Sequence, residues 1–168
     1  VTEPDRLVRW IGTWSGDPSS GTVQFRMTAE GEDIEAEPVT VHECDPPRRL
    51  VLSWDSDGVL WHVELDLAGA AGVTTLTFAQ RVPDTATGRD VGPGWEYYLD
   101  RLVAARSGAD VAAVAWSDYE GMMGDYEALF AESLGTALNA RAVGSLHEFG
   151  RYVNDLEYRA RHTTGAED

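Results

Sequence analysis

The 168-residue chain contains no lysine and only one cysteine, Cys44. A single cysteine excludes a disulfide framework and a cysteine-rich zinc site, and it fits the reducing environment of the cytoplasm. No apolar run approaches the roughly 18 residues that a membrane-spanning helix needs, and no basic-then-apolar leader precedes the first predicted strand. We therefore expect a cytoplasmic protein.

Positive charge is also scarce. The chain has 13 basic residues, all of them arginine, against 29 acidic residues, which gives a net charge of -16 at pH 7. A field of this sign repels phosphate backbones and anionic lipid, so we expect neither nucleic acid nor a membrane surface as a partner. Solubility is the simplest reason for the excess charge. The hydrophobic fraction of 43% is still sufficient for a single globular domain with a substantial core.

Motifs for catalysis and metal binding are missing from the sequence. The histidines form no HExxH pair, and there is no GxSxG elbow for a serine nucleophile. We interpret all four histidines as exposed or singly hydrogen-bonded; they are His42, His62, His147 and His162. Cys44 has no basic sequence neighbour to activate its thiol and is interpreted as a small strand residue. Glu64 and Asp66 share one strand face and are interpreted as solvated rather than as an acid/base pair. The sequence thus predicts no catalytic residue, metal ligand or cofactor.

The first half of the chain has the pattern of an antiparallel sheet. A capped, proline-containing start predicts a short helix over about 2–11, and the Gly-, Ser- and Pro-rich stretch GTWSGDPSSG that follows predicts a loop. Five runs with strand periodicity then occur, separated by short turn-like segments. They lie at 22–29, 37–44, 48–54, 59–68 and 73–82. Short connections of this kind are typical of a meander.

The second half begins with helical spacing. Apolar residues at i, i+3, i+4, i+7 and i+8 predict a helix of about four turns; they are Trp95, Tyr98, Leu99, Leu102 and Val103. The segment Gly92–Gly94 is predicted to begin this helix and Gly108 to end it. A second helical stretch is predicted from Ser117 to Leu134, and a strand at 151–162 is followed by a capping-box pattern at Thr164. Our predicted divisions are 1–108 for the main part of the domain, 109–135 for an additional helical segment, 136–146 for a linker, and 147–168 for a strand and helix start that complete the same domain.

Five stretches of sequence together resemble a known family. They are VTEPDRLVRW at 1–10, VTVHECDPPRRLVLSW at 39–54, LWHVELDL at 60–67, TTLTFAQRV at 74–82 and VGPGWEYYLDRL at 91–102. The chain resembles the SRPBCC superfamily of START/Bet v 1-like helix-grip proteins, and within it the bacterial AHSA1-type family, named after the activator of Hsp90 ATPase. The resemblance covers most of residues 1–108. It implies an α+β helix-grip fold, in which a curved antiparallel sheet wraps around a long helix, and none of the five stretches is a catalytic signature.

The order of the elements departs from that family. In the family the strand that is similar to 151–162 comes first, directly before the helix that ends near TEPDRL. We interpret the chain as a circular permutation in which 136–146 joins the former ends, because the termini of compact domains often lie close together. The alternatives are a tandem protein cut inside its second copy, a strand exchanged between the two chains of a homodimer, and continuous numbering across a missing segment.

Aromatic residues are abundant, with six Trp, six Tyr and four Phe. Those on the apolar side of their elements would either fill the core or line a cavity between the sheet and the long helix. Composition favours a filled core, whereas the resemblance to helix-grip proteins makes a cavity an equal alternative. The predicted ligand-binding residues are Phe25, Met27, Trp54, Trp61, Phe78, Trp95, Tyr98, Leu102 and Tyr158.

The function predicted first is the binding of an apolar or aromatic small molecule in that cavity. Two alternatives follow from the resemblance: a polyketide cyclase/aromatase-like enzyme that uses the same cavity, and a cochaperone or interaction protein that resembles the Hsp90 activator. The enzyme stands second because the sequence offers no clear acid/base pair.

Overall fold

A computed structural model describes the chain at residues 2–29, 34–56, 58–71, 73–82, 84–131 and 160–163. The described backbone forms one curved antiparallel sheet, and a long helix packs across one of its faces. This arrangement confirms the predicted α+β architecture. We call the face that meets the helix the inner face and the opposite one the outer face.

The described residues contribute seven strands to the sheet, in chain order and each antiparallel to its neighbours. They are β1 (Gly12–Ser15), β2 (Thr22–Met27), β3 (Glu37–Asp45), β4 (Arg49–Ser56), β5 (Val59–Ala70), β6 (Val73–Arg81) and β7 (Ala160–Thr163). The five predicted strands correspond to β2 through β6.

Strand β1 lies in the stretch that was predicted to be a loop, so that prediction was wrong. Its first residue, Gly12, pairs with Met27 on β2. A Cβ atom at position 12 would lie 2.9 Å from the Cζ atom of Phe25 and would overlap the carbonyl oxygen of Arg26. The glycine is therefore required by the close approach of β2 rather than by a turn.

In the part of the chain that the structure describes, three α-helices accompany the sheet: α1 (Pro4–Leu7), α2 (Thr85–Ser107) and α3 (residues 123–131). Helix α2 begins earlier than predicted, because the Asp84 carboxylate accepts a hydrogen bond of 2.7 Å from the backbone N–H of Thr87 and caps the helix there. The segment 92–94 consequently lies inside α2 and does not begin it. Gly108, with a φ of 75°, ends the helix as predicted.

The core lies between α2 and the inner face. Tyr98, Leu99 and Leu102 supply the helix side of this core, and α1 with the residues after it closes one end. The buried members of the cluster are Leu7, Trp10, Ile11, Val63, Leu65, Leu76, Phe78, Tyr98, Leu99, Leu102 and Ala105. In the middle of β5, Val63 and Leu65 are buried while His62, Glu64 and Asp66 are only half-buried, which confirms the alternation predicted there.

A second layer packs against α2 beyond the core. Residues 111–131, which we call the clasp, run back along the helix in the opposite direction through three short 3₁₀ turns and α3. Near the start of α2 the clasp ring of Phe130 fills the space beside Gly88. Farther along, Tyr119 donates a 2.6 Å hydrogen bond to Asp100. The predicted helix from Ser117 to Leu134 is thus 3₁₀ in its first part, and 132–134 lie outside the described residues.

Strand β7 extends the sheet at the edge of β6. Its four residues, 160–163, pair with 73–76. The rest of the predicted strand at 151–162 and the predicted linker at 136–146 lie outside the described residues. The circular permutation and its alternatives therefore stay predictions.

Candidate functional site

The inner face carries a cluster of aromatic side chains directly beneath α2. Trp95 of the helix packs against Phe78 of β6, with 4.3 Å between the ring centroids, and meets Tyr98 edge-on at 6.3 Å. Phe78 is 3% exposed and Tyr98 is 6% exposed, whereas Trp95 is half-buried. Trp95 therefore lies between the sealed core and the space that solvent reaches.

Polar atoms interrupt this aromatic surface at two places. The indole N–H of Trp95 donates a hydrogen bond to the side-chain oxygen of Gln80, a β6 residue that is only 3% exposed. The Tyr98 hydroxyl lies 3.6 Å from the Met27 sulfur. An amide, an indole and a phenol among rings are the kind of lining that holds a flat molecule in one orientation.

A pair of tryptophans continues the aromatic surface toward the turn between β4 and β5. Trp54 and Trp61 lie directly opposite each other on adjacent strands and stack with a centroid distance of 5.4 Å and an interplanar angle of 20°. Both are half-buried. This end of the inner face therefore offers accessible apolar surface.

Most of the predicted ligand-binding residues belong to one cluster. Phe78, Tyr98 and Leu102 are buried members of the core, and the partly buried residues packed against it include Phe25, Met27, Trp54 and Trp95. Trp61 joins them through its stacking on Trp54. Tyr158 lies outside the described residues. The structure thus places eight of the nine residues either on the inner face or on the side of α2 that meets it, and their role in binding stays a prediction.

An open groove of about 680 Å³ lies elsewhere, at the sheet edge formed by β1 and β2. Its lining includes Thr13, Ser15, Gln24 and Arg26, which share one sheet face by their register. None of the predicted ligand-binding residues lines this groove. The rest of the lining is Trp14, Ile34, Glu35 and Ala36, so the groove mixes polar and apolar groups.

The outer face holds an ionic cluster that was missed in the sequence. The Arg49 guanidinium donates to Glu43 at 2.9 Å, to Glu64 at 2.5 Å and to Asp66 at 2.7 Å. The interpretation of Glu64 and Asp66 as merely solvated was therefore incomplete, because both are ion-paired. Glu64 and Asp66 lie two residues apart on one face of β5, and Arg49 of β4 is directly opposite Asp66. This sequence pattern could have indicated the ion pairs. The hydrogen bond from Arg49 lowers the pKa of Glu64, against a smaller opposing effect of burial.

Two histidines lie beside this ionic cluster. The Nε2 atom of His42 is 2.7 Å from the Ser53 hydroxyl, and the rings of His42 and His62 are 5.7 Å apart. A bulge in β3 between Val41 and Glu43 shifts the register there. Both histidines lie on the face opposite the aromatic cluster, as predicted. Within the described ranges no three His, Cys, Asp or Glu side chains are grouped so that they could hold a metal ion.

The comparison with known families decides the affiliation of the chain. The family model described as "Activator of Hsp90 ATPase homolog 1-like protein" matches residues 1–106, well over half of the sequence. The chain belongs to the AHSA1 family. Membership confirms the predicted SRPBCC-type helix-grip fold, and it favours a ligand-binding or cochaperone-like domain.

Two solved structures share the fold of this AHSA1-family chain. CalU16 from Micromonospora echinospora is 26% identical, with a TM-score of 0.58 over 75% of this chain and 76% of CalU16. A protein from Bordetella parapertussis, solved by NMR in solution, is 24% identical, with a TM-score of 0.56 over 71% of this chain and 74% of that one. No curated protein matches the sequence. No helix in the described part of the chain combines the length and the apolar character needed to cross a bilayer.

Proposed function

We propose that this AHSA1-family protein binds a flat, largely apolar small molecule between the inner face and α2. One observation carries the proposal: Trp95, which packs on the buried Phe78, and Trp54, which stacks on Trp61, lie against the same buried core and are only half-buried. Aromatic surface of this kind gains both from area burial and from ring stacking when a flat ligand adds to it.

Binding is favoured over catalysis by the groups that meet the cluster. They are the Gln80 amide, the Trp95 indole N–H and the Tyr98 hydroxyl. These groups orient a ligand at neutral pH but do not form the acid/base pair that a cyclase or aromatase would use. The Ser53–His42 pair, which has the chemical types of a nucleophile and a base, lies on the outer face and does not border the cluster.

The test is a titration with prodan, a neutral naphthalene ketone whose fluorescence rises in apolar surroundings. We expect wild-type protein to bind it and Trp61→Ala to weaken binding about fivefold to tenfold, because one ring contact of about 1 kcal/mol is lost. Trp116→Ala is the matched control, since Trp116 lies on the clasp and contacts Tyr97 rather than the cluster.

Two results would count against this proposal. Prodan binding that is equally strong in wild type, Trp61→Ala and Trp95→Phe would place the ligand elsewhere. A wild-type protein that binds no neutral aromatic compound would instead favour the cochaperone-like role that the family name implies. Urea unfolding of each variant shows that it is folded before binding is interpreted.

The remaining expectations concern the setting of the protein. We propose that it acts in the cytoplasm and binds neither nucleic acid nor membranes, on the basis of its single cysteine and its net charge of -16. Fractionation of cells that express the tagged protein tests its location. Gel-shift and vesicle sedimentation assays at low salt test the two excluded partners.

A further inference from the structure

Gln80 is an unusual residue for its position. It lies on β6 opposite Val63, with Phe78 two residues earlier on the same face, and it is 3% exposed. A polar amide in apolar surroundings costs free energy unless its donors and acceptor find partners. Ser53 is the other polar side chain among the buried residues described, and it lies on the outer face with a histidine partner.

The contact with Trp95 fixes which way the Gln80 amide points. An indole N–H is a donor only, so it must face the oxygen of the amide and not its NH₂ group. The two N–H donors of Gln80 are consequently directed away from Trp95. Among the described residues no acceptor is hydrogen-bonded to them, since the bond with Trp95 is the side-chain contact that Gln80 makes there.

The surroundings of that amide nitrogen can be deduced from burial. In the described part of the chain, no side-chain nitrogen or oxygen is both fully enclosed and without a hydrogen bond. The Gln80 nitrogen has no such bond, so it must border space that a water molecule can reach. Because the nitrogen and the oxygen of an amide share one carbon, this space lies close to the oxygen that accepts from Trp95, although Gln80 as a whole is buried.

We propose that the Gln80 amide is the polar anchor of the ligand site and selects flat aromatic ligands that carry a hydrogen-bond acceptor such as a ketone or quinone oxygen. The inference rests on the proposed function and adds a chemical class to it. Trp95 acts as the positioning residue, because its N–H holds the amide in the orientation that presents both donors. The ligand ring packs on the aromatic cluster while its oxygen accepts from Gln80.

The experiment compares two ligands that differ in one group. Prodan carries a ketone, and its deoxo analogue has a methylene at the same place and the same ring. Binding of both is measured to wild type, to Gln80→Met, which keeps the side-chain length but removes the amide, and to Ser53→Ala, which removes the buried polar group of the outer face. The quantity of interest is the ratio of the two dissociation constants in each protein.

We expect Gln80→Met to reduce the preference for the ketone roughly tenfold, since one hydrogen bond is lost, and Ser53→Ala to leave it unchanged. In wild type, the infrared C=O stretch of bound prodan should lie below its value in hexane, as a hydrogen-bonded ketone requires. This measurement keeps the inference testable if Gln80→Met does not fold.

Each outcome has a separate meaning. If Gln80→Met weakens both ligands equally, or if the bound ketone has the stretch of a free one, the role of Gln80 is refuted while the ligand site stands. If neither ligand binds wild type, the proposed function itself fails and the inference fails with it.

Discussion

Replacing Gly88 of α2 by alanine should open the clasp, although the same change in an unobstructed helix is stabilising. Alanine is favoured over glycine in a helix interior by about 1 kcal/mol. At position 88 the new Cβ atom would lie 2.8 Å from the Cγ atom of Phe130, closer than real carbon atoms approach, and would overlap the ring beyond it. The ring must therefore leave its site.

The magnitude follows from what Phe130 would lose. The ring is 6% exposed, and fully burying such a side chain is worth about 1.5–3 kcal/mol. Subtracting the helix gain of about 1 kcal/mol leaves an expected loss of about 0.5–2 kcal/mol for Gly88→Ala. The matched control is Gly94→Ala on the same helix, where a Cβ atom meets nothing within 4 Å and the helix gain should appear undiminished.

Urea unfolding supplies the free energies, and hydrogen exchange over residues 111–131 reports the clasp directly. We expect Gly88→Ala to exchange faster in the clasp, while the strands β4 to β6 keep their protection. If both alanine variants gain the same stability and protect 111–131 equally, the clasp is not packed on α2 as described and the reasoning is refuted.

Two further predictions concern the sheet. Arg49→Met should cost about 1 kcal/mol at neutral pH, discounted for its partly exposed partners. Because folding lowers the pKa of Glu64, the Arg49–Glu64 ion pair stabilises the protein fully above pH 4.5, the ordinary pKa of a glutamate, and this stabilisation is lost as the pH falls through the lowered folded-state pKa. The stabilities of wild type and Arg49→Met should therefore converge in acid. A constant difference between their urea midpoints across pH would contradict this. Deletion of 145–168 should expose the β6 edge and cause aggregation in light scattering, whereas a soluble, cooperatively melting product would show that β7 is dispensable. In the full chain, a stable dimer in light scattering favours strand exchange over permutation.

The sheet and its faces were predictable because they depend on local alternation. The five predicted strands correspond to β2–β6, and His42 and His62 lie on the face opposite the core, as the pattern of β3 to β5 indicated. The stretches with glycine were predicted wrongly for a shared reason. Gly12 and Gly88 lack side chains because another element lies against them, and a sequence does not distinguish that requirement from a turn.

The start of α2 illustrates the same limit. The helix includes Gly88, Gly92 and Pro93, which weaken helical propensity, and it is maintained by packing on both the core and the clasp. The predicted helix therefore matches α2 only from Trp95 onward, where apolar residues recur with helical spacing.

The candidate site was predictable as a set of residues but not as an arrangement. Apolar periodicity placed Phe78, Trp95 and Tyr98 on the sides of their elements that meet in the core, and their role in binding stays a prediction. The bond between Trp95 and Gln80 depends on how α2 lies over β6, and a polar residue at an inward position has no periodic signal of its own. The Arg49 cluster similarly required the register of β4 against β5.

The stacked tryptophans also give the protein an optical property. Two indoles held 5.4 Å apart at a fixed angle of 20° behave as a coupled pair of chromophores, and their electronic transitions split into a couplet of opposite signs in circular dichroism. The couplet depends on Trp54 and Trp61 facing each other across β4 and β5. A slip of one residue between these strands would send the two rings to opposite faces and abolish it. The chain therefore carries an intrinsic spectroscopic reporter of strand register, which needs no label.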